Sequence, residues 1–315
     1  PRLCRDWSSD VCSSDLTPQN YRGYISDIDF YRMYPIDKHF KYWIDDKLTL
    51  KYVLSLYTQY LPKYFCIIQK GCVITPLIDG KNIYSIDDLL SFIKREKQVA
   101  LKLTSSTHGV GFYKLSFGDH YEIDNQAVTE DQLIAFLREL DGYLVTEYIV
   151  AHEAIRKVSC GALNTVRIMV INEDLKHPKL ANAVMKFSTK ASGLVDNVIT
   201  GSIFVKVDVA TGAYSDAKCI VDNVYLNCNC HPDTNVEIKG VLPYWREMSD
   251  KLIEISQYLA PLTYMGYDVA ITDNGFKIIE INSHQGLMMF QCYGPLLREN
   301  IAADFFNKVF YNDKR

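Results

Sequence analysis

Apolar positions recur at helical spacing over residues 45–60, in IDDLLSFIKREK after Ser85, in EDQLIAFLREL after Thr129, and over 243–259 and 295–311. Asp45 or Asp46 can cap the first helix and Pro62 ends it. Ser85 and Thr129 begin the next two, and Pro243 sits in the first turn of the fourth. YFCIIQKGCVITP reads as a hairpin turning at Lys70-Gly71. Alternating or β-branched runs predict strands at 98–103, 112–117, 143–150, 164–172, 180–188 and 201–209, and over 266–282. A polar loop spans 104–111, and DVATG at 208–212 predicts a tight turn. Helices mixed with antiparallel hairpins indicate an α+β fold.

The chain has 315 residues, 48% hydrophobic and 23% charged, enough for a large core or two adjoining ones. A formal net charge of −4 argues against nucleic acid or an anionic membrane as the main partner. No run reaches the ~18–20 apolar residues of a membrane span, no signal peptide is visible, and the scattered cysteines read as the reduced thiols of a cytoplasmic protein. The 22 Tyr and 14 Phe suit strands, core packing and a groove that contacts a sugar or a base. There are nine such Cys. Cys228, Cys230 and His231, with Cys219 before them, lack the second ligand pair of a zinc site and read as a loop. The chain opens on Pro1, which suggests a fragment. Residues 1–16 are Ser/Asp-rich without a period and resemble a translated sequencing adaptor, so they are set aside as a non-native leader, Cys4 and Cys12 included.

Candidate chemistry is densest in GYDVAITDNGFKIIEINSHQG, residues 266–286. Glu280 and Asn282 share a strand face. A two-residue Asn274-Gly275 turn would put Asp268 opposite Ile281. A three-residue turn, Asp273 to Gly275 with Gly275 left-handed, would put it opposite Glu280, and this is the arrangement expected. Two carboxylates at that range repel unless neutralised, and Mg²⁺ would do so. The bland reading, a hairpin with solvated acids, fits poorly with a Glu280 flanked by Ile278, Ile279 and Ile281. In VALKLTSSTHGVGF, Lys102 lies between apolar neighbours and needs an anion. The loop after it carries Ser105, Ser106, Gly109 and Gly111, whose backbone can approach phosphate. In YLVTEYIVAHE, Glu147 and Glu153 bracket an apolar segment that could wrap a purine, although any buried strand would look similar.

The order of these pieces resembles the ATP-grasp superfamily, which includes the D-alanine–D-alanine ligases. The second half looks closer still to the sugar-transfer-associated ATP-grasp proteins found with surface-polysaccharide synthesis. The matching stretches are NTVR at 164–167, VDN at 195–197 followed by Gly201, VDVATG at 207–212, HPDT at 231–234 and GYDVA at 266–270. The resemblance implies an ATP-grasp fold, with two α+β subdomains gripping ATP between them. It implies that Lys47 and Lys102 contact ATP phosphates, that Glu147, Tyr148 and Ile149 line the adenine, and that Glu153 binds the ribose. Asp268, Glu280 and Asn282 would hold Mg²⁺. Arg167 would stabilise the γ-phosphate or a substrate carboxylate, its alternative being a strand-edge salt bridge. Lys186 and Asn197 are further candidates for that pocket. Asn235 follows HPDT where Gly is expected, and Ser283-His284 follow the E-x-N motif where a small-residue Pro/Gly turn is expected.

The division implied is a leader at 1–16, a helical and hairpin region at 17–84 (a short or truncated substrate domain), a lid subdomain at 85–150, and a C-terminal subdomain with the Mg²⁺ site at 151–315. The expected reaction is ATP-dependent carboxylate–amine ligation through an acyl phosphate, in capsule or exopolysaccharide synthesis. The partners expected are ATP, a small carboxylate, and an amine or sugar. The competing readings are phosphotransfer to a sugar hydroxyl and a nucleotide-binding module without turnover.

Overall fold

The computed structural model describes residues 17–312 apart from 75, 76, 78, 80, 81, 106–110, 160, 194–200, 222, 223, 299 and 300. The leader at 1–16, Ser106, Gly109 and Asn197 lie outside the described residues. In chain order the helices are α1 (Asp27–Arg32), α2 (Tyr42–Asp45), α3 (Lys47–Val53), α4 (Ile86–Glu96), α5 (Glu130–Glu139), α6 (Glu153–Val158), α7 (Trp245–Tyr258), α8 (Met288–Gln291) and α9 (Ile301–Asn312). The strands are β1 (Tyr64–Gln69), β2 (Cys72–Ile74), β3 (Gln98–Leu103), β4 (Tyr113–Phe117), β5 (Tyr121–Ile123), β6 (Gln126–Val128), β7 (Tyr143–Glu147), β8 (Val166–Ile171), β9 (Lys179–Phe187), β10 (Ile203–Val207), β11 (Ala213–Val221), β12 (Val224–Asn227), β13 (Gly240–Val241), β14 (Tyr264–Thr272) and β15 (Gly275–Asn282).

Side-chain caps set several helix starts. Ser26, Asp46 and Ser85 each accept a hydrogen bond from the backbone N–H three residues on, and Thr129 with Gln132 forms a reciprocal capping box. The single helix expected over 45–60 is instead broken. Asp46 is extended (φ −100°, ψ 124°) so that it can cap α3, and after Leu54 the chain continues as a 3-10 turn, Ser55–Tyr60, with Tyr57 off helical geometry. Pro243 precedes α7 by two residues rather than sitting in its first turn, and the last helix begins at Ile301.

Residues 46–150 form one compact unit. Its described strands make a sheet in the order β2-β1-β7-β3-β4-β5-β6. Helices α4 and α5 cover one face, where Leu89, Ile93, Leu133 and Leu137 pack with Val99, Leu101, Leu115 and Val145. Alternation puts Ala100, Lys102, Leu144 and Thr146 on the other face. Lys51 is drawn inward and meets Asp79 at 2.9 Å.

Residues 17–45 and 151–312 form the other unit. Its sheet runs β12-β11-β10-β9-β8-β14-β15, with β13 paired to β11. Helix α7 lies on the Tyr267 face, where Ser256 Oγ and Tyr267 Oη are 2.8 Å apart. The opposite face is apolar at one end, where Phe30, Met33, Met169, Tyr264, Phe305 and Phe306 pack.

The chain thus clusters into these two units, with residues 17–45 alongside the second half. Residues 17–45 join the second half because hydrogen bonds and core packing tie them there. Asp37 accepts from Thr263 N (2.9 Å), Thr263 Oγ1 (2.6 Å) and Tyr264 N (3.1 Å). Ile25 exchanges two bonds with the Gln291 amide, and Asp45 takes Ser283 N and Oγ.

Two stability experiments follow. Asp37→Ala orphans the N–H groups of Thr263 and Tyr264 and should cost about 1–3 kcal/mol in urea unfolding; an unchanged midpoint would contradict the assigned role. Burial opposes ionisation of Asp79, but Tyr64 N–H and the Lys51 ammonium outweigh it and lower its pKa. A depressed folded-state pKa stabilises at neutral pH and is lost on acidification. Wild-type stability should therefore fall below about pH 5, and Asp79→Asn should blunt that fall.

Candidate active site

The β14–β15 hairpin sets the acidic residues. Asp268 pairs with Glu280, as expected, but by a different route. Thr272 pairs with Gly275, leaving a two-residue Asp273-Asn274 loop, and the register shifts by one at Ile279, between the Val269–Ile278 and Asp268–Glu280 pairs. The bulge, rather than the turn, brings the carboxylates onto one face. On the other side of β14, Asp268 pairs with Arg167 of β8. Arg167, Asp268 and Glu280 thus form a row across three neighbouring strands. Lys186 of β9 joins this face two positions beyond Val184, the partner of Arg167.

This row is an ionic cluster at the polar end of a largely apolar face. Arg167 donates to Asp268 through both Nε (2.7 Å to Oδ1) and Nη2 (2.6 Å to Oδ2), and Lys186 Nζ lies 3.3 Å from Oδ1. Asp268 is only 4% exposed. Burial alone would push its carboxyl up, but the charges of Arg167 and Lys186 reverse this and hold it ionised, well below the usual carboxylate range. Glu280 sits directly across from Asp268 on β15. Arg167 is in an interior strand, so its salt bridge is not at a strand edge, and it already neutralises the acid that the sequence reading left to a cation.

Asn282 donates through Nδ2 to Gly266 O (3.4 Å) and Glu280 Oε1 (3.3 Å), so Oδ1 is the atom a cation would take. Among the described residues no three His, Cys, Asp or Glu side chains converge as a metal site. The donors present are two carboxylates and an amide oxygen, a hard-oxygen set that fits Mg²⁺ with its remaining positions on phosphate and water. The turn after Asn282 folds back over β14. Gly266 is required there, because a Cβ would lie 2.5 Å from Cδ of the buried Gln285. Next to Gln285, His284 stacks on Phe30 (3.8 Å between centroids), and burial pushes its imidazole down to about 4.

In the 46–150 unit, Lys102 stands on the face away from α4 and α5. The backbone N–H of buried Lys47 donates to Thr104 O (3.0 Å), which ties the two lysine segments together. Ser105 is exposed. Gly111 takes φ +73°, and a Cβ there would meet Leu103 Cδ1 at 2.7 Å. Glu147 turns back to accept from Lys63 N (3.1 Å), Tyr148 lies under the Lys114 ammonium (5.3 Å to the ring centroid), and Ile149 is buried. Lys114 escaped the sequence reading, although its place opposite Ala100 puts it on the Lys102 face. In the other unit, Glu153 is exposed at the start of α6 and pairs with Lys157 at 2.8 Å.

His231 is a structural residue. It is buried, its Nε2 lies 2.9 Å from Ser188 O, and its Nδ1 accepts from Asp233 N. Asn235 takes φ +56°, the left-handed conformation that Asn tolerates in place of Gly.

The chain belongs to the sugar-transfer associated ATP-grasp family, whose model matches residues 26–303. Among solved structures it is similar to the ATP-grasp ligase PsnB complexed with minimal precursor (10% identity, TM-score 0.44, covering 87% of this chain and 62% of that one). It is also similar to D-alanyl-alanine synthetase A from Vibrio cholerae (12% identity, TM-score 0.48, 86% and 65%). A third is D-alanine–D-alanine ligase from Bacillus anthracis complexed with ATP (14% identity, TM-score 0.38, 78% and 57%). The chain thus spans less than two thirds of each of those structures. No curated protein matches it.

A double-mutant cycle tests the buried pair. Arg167→Met should destabilise by about 3–5 kcal/mol in urea unfolding, because it strands a buried carboxylate. Adding Asp268→Leu should recover part of that loss, the remainder being the cost of a Lys186 ammonium left without Asp268. A single mutant with wild-type stability would contradict the cluster.

Proposed function

We propose that the chain is an ATP- and Mg²⁺-dependent carboxylate–amine ligase acting through an acyl phosphate. The observation that supports this is the row Arg167–Asp268–Glu280, with Lys186 and Asn282 on the same face. The family's description links it to sugar transfer, and the process we infer is capsular or exopolysaccharide synthesis in the cytoplasm. No described helix is long and apolar enough to cross a membrane.

Each unit carries residues for part of this chemistry. Lys47 and Lys102 would hold phosphate oxygens, helped by backbone N–H groups of the loop containing Ser105, Ser106, Gly109 and Gly111. Glu147, Tyr148 and Ile149 would line the base, and Glu153 would bind the ribose. Glu280, Asn282 and Asp268 would hold Mg²⁺, which supplies charge neutralisation at the phosphates. Arg167 orients Asp268 through its two-point contact, and Lys186 adds a second positive charge beside the transferring phosphoryl group. A substrate carboxylate attacks the γ-phosphorus, ADP leaves, and an amine then displaces phosphate from the acyl phosphate. No nucleophile on the protein is needed.

Purified protein with ATP, Mg²⁺, hydroxylamine and a panel of uronic and amino acids tests this. An acyl hydroxamate and one equivalent of phosphate are expected with at least one acid. No hydroxamate and no phosphate release across the panel would contradict ligation. A stable phosphorylated sugar formed without an amine would identify phosphotransfer instead.

A further inference from the structure

The segment from Tyr31 to Tyr42 interleaves aromatic and basic residues: Tyr31, Arg32, Tyr34, Lys38, His39, Phe40, Lys41, Tyr42. Three of its tyrosines stay in solvent, at 70%, 44% and 65% exposure for Tyr31, Tyr34 and Tyr42. They form one connected surface. The rings of Tyr31 and Tyr34 lie 6.0 Å and 4.9 Å from His284, and Lys41 Nζ lies over Tyr34 (4.3 Å) and Tyr42 (4.9 Å) while donating to Tyr34 Oη at 2.5 Å. The surface adjoins the E-x-N segment along the chain. His284 is two residues beyond Asn282, and the intervening Ser283 is clamped by Asp45 at the end of α2.

We propose that Tyr31, Tyr34, Tyr42 and Lys41 form a binding subsite for an acidic sugar, a pyranose bearing a carboxylate, as the anchoring unit of the substrate. This names the substrate class of the ligase reading above and rests on it. A pyranose presents an apolar C–H face that packs on an exposed phenol ring and hydroxyls that bond to its rim, which suits Tyr better than a purely apolar side chain. Lys41, with its ammonium between two rings, gives the surface a preference for an anion. His284 adds a further reason for a ligand. Among the described residues both of its ring nitrogens are buried without a hydrogen-bond partner, which costs free energy. A sugar hydroxyl that shifts Tyr31 or Tyr34 would supply that partner. The chain's formal charge of −4 disfavours an anionic bilayer as the occupant, and no described helix is long and apolar enough to cross a membrane.

The test titrates the full chain with methyl glucuronoside and with methyl glucoside, followed by tyrosine fluorescence and saturation-transfer NMR, and measures Mg·ADP binding in parallel. The glucuronoside should bind more tightly than the glucoside. Tyr31→Ala with Tyr42→Ala should weaken it about tenfold or more, the loss of roughly 1.4 kcal/mol of stacking. Lys41→Gln should abolish the preference for the acid. These positions are exposed or half-exposed, and Mg·ADP binding should be unchanged in every variant. No saturable glucuronoside binding, binding that the variants leave intact, or loss only of co-sedimentation with phosphatidylglycerol vesicles would each overturn the subsite. Tyrosine-dependent sugar binding without hydroxamate formation would remove the ligase reading and leave the subsite standing. Hydroxamate formation that ignores the tyrosines would do the reverse.

Discussion

A buried carboxylate held between an arginine and a lysine organises the second-half sheet. Asp268 could not stay ionised at 4% exposure without Arg167 and Lys186 beside it. Arg167 could not reach it with both nitrogens unless β8 and β14 paired in the register that sets the two residues opposite each other. That register also puts Met169 and Tyr264 in the apolar part of the same face. A slip by one residue would move the charges to the α7 side and the apolar residues out of their core. The ion pair and the core therefore specify the same strand alignment, and the bulge at Ile279 carries Glu280 into line with it.

Much of this was legible in the chain. The alternation in GYDVAITDNGFKIIEIN located the hairpin, and the pairing of Asp268 with Glu280 was expected. The reason given for it was not the one observed, because a bulge within an apolar run leaves no mark comparable to a glycine at a turn. Caps at Ser85 and Thr129 were readable because they are local, a side chain answering an N–H three residues on. The break at Asp46 was harder to see, since helical periodicity runs through it and only the capping geometry interrupts it.

What the sequence hid depends on long-range contacts. Residues 17–45 read as the start of an N-terminal region, yet Asp37 closes on Thr263 and Tyr264, more than two hundred positions away. No periodicity encodes that partner. The same holds for Arg167: the resemblance implied a role toward phosphate or substrate, with a salt bridge as the alternative, but its partner, Asp268, is specified only by strand order. The aromatic and basic run at 31–42 is part of the chain's 22 Tyr and 14 Phe, a total that does not mark it as a surface. Its connection to the E-x-N motif through His284 and Ser283 appears only in the folded chain.

The central claim is that the corner formed by Asp268, Glu280 and Asn282 takes a divalent cation together with nucleotide phosphates. Electron paramagnetic resonance of Mn²⁺, titrated into the protein in the presence and absence of ADP, measures this directly. The account predicts that free Mn²⁺ signal is lost on adding protein with ADP, and that Glu280→Gln restores it while the fold is retained. Mn²⁺·ADP binding of equal strength in wild type and Glu280→Gln would contradict it.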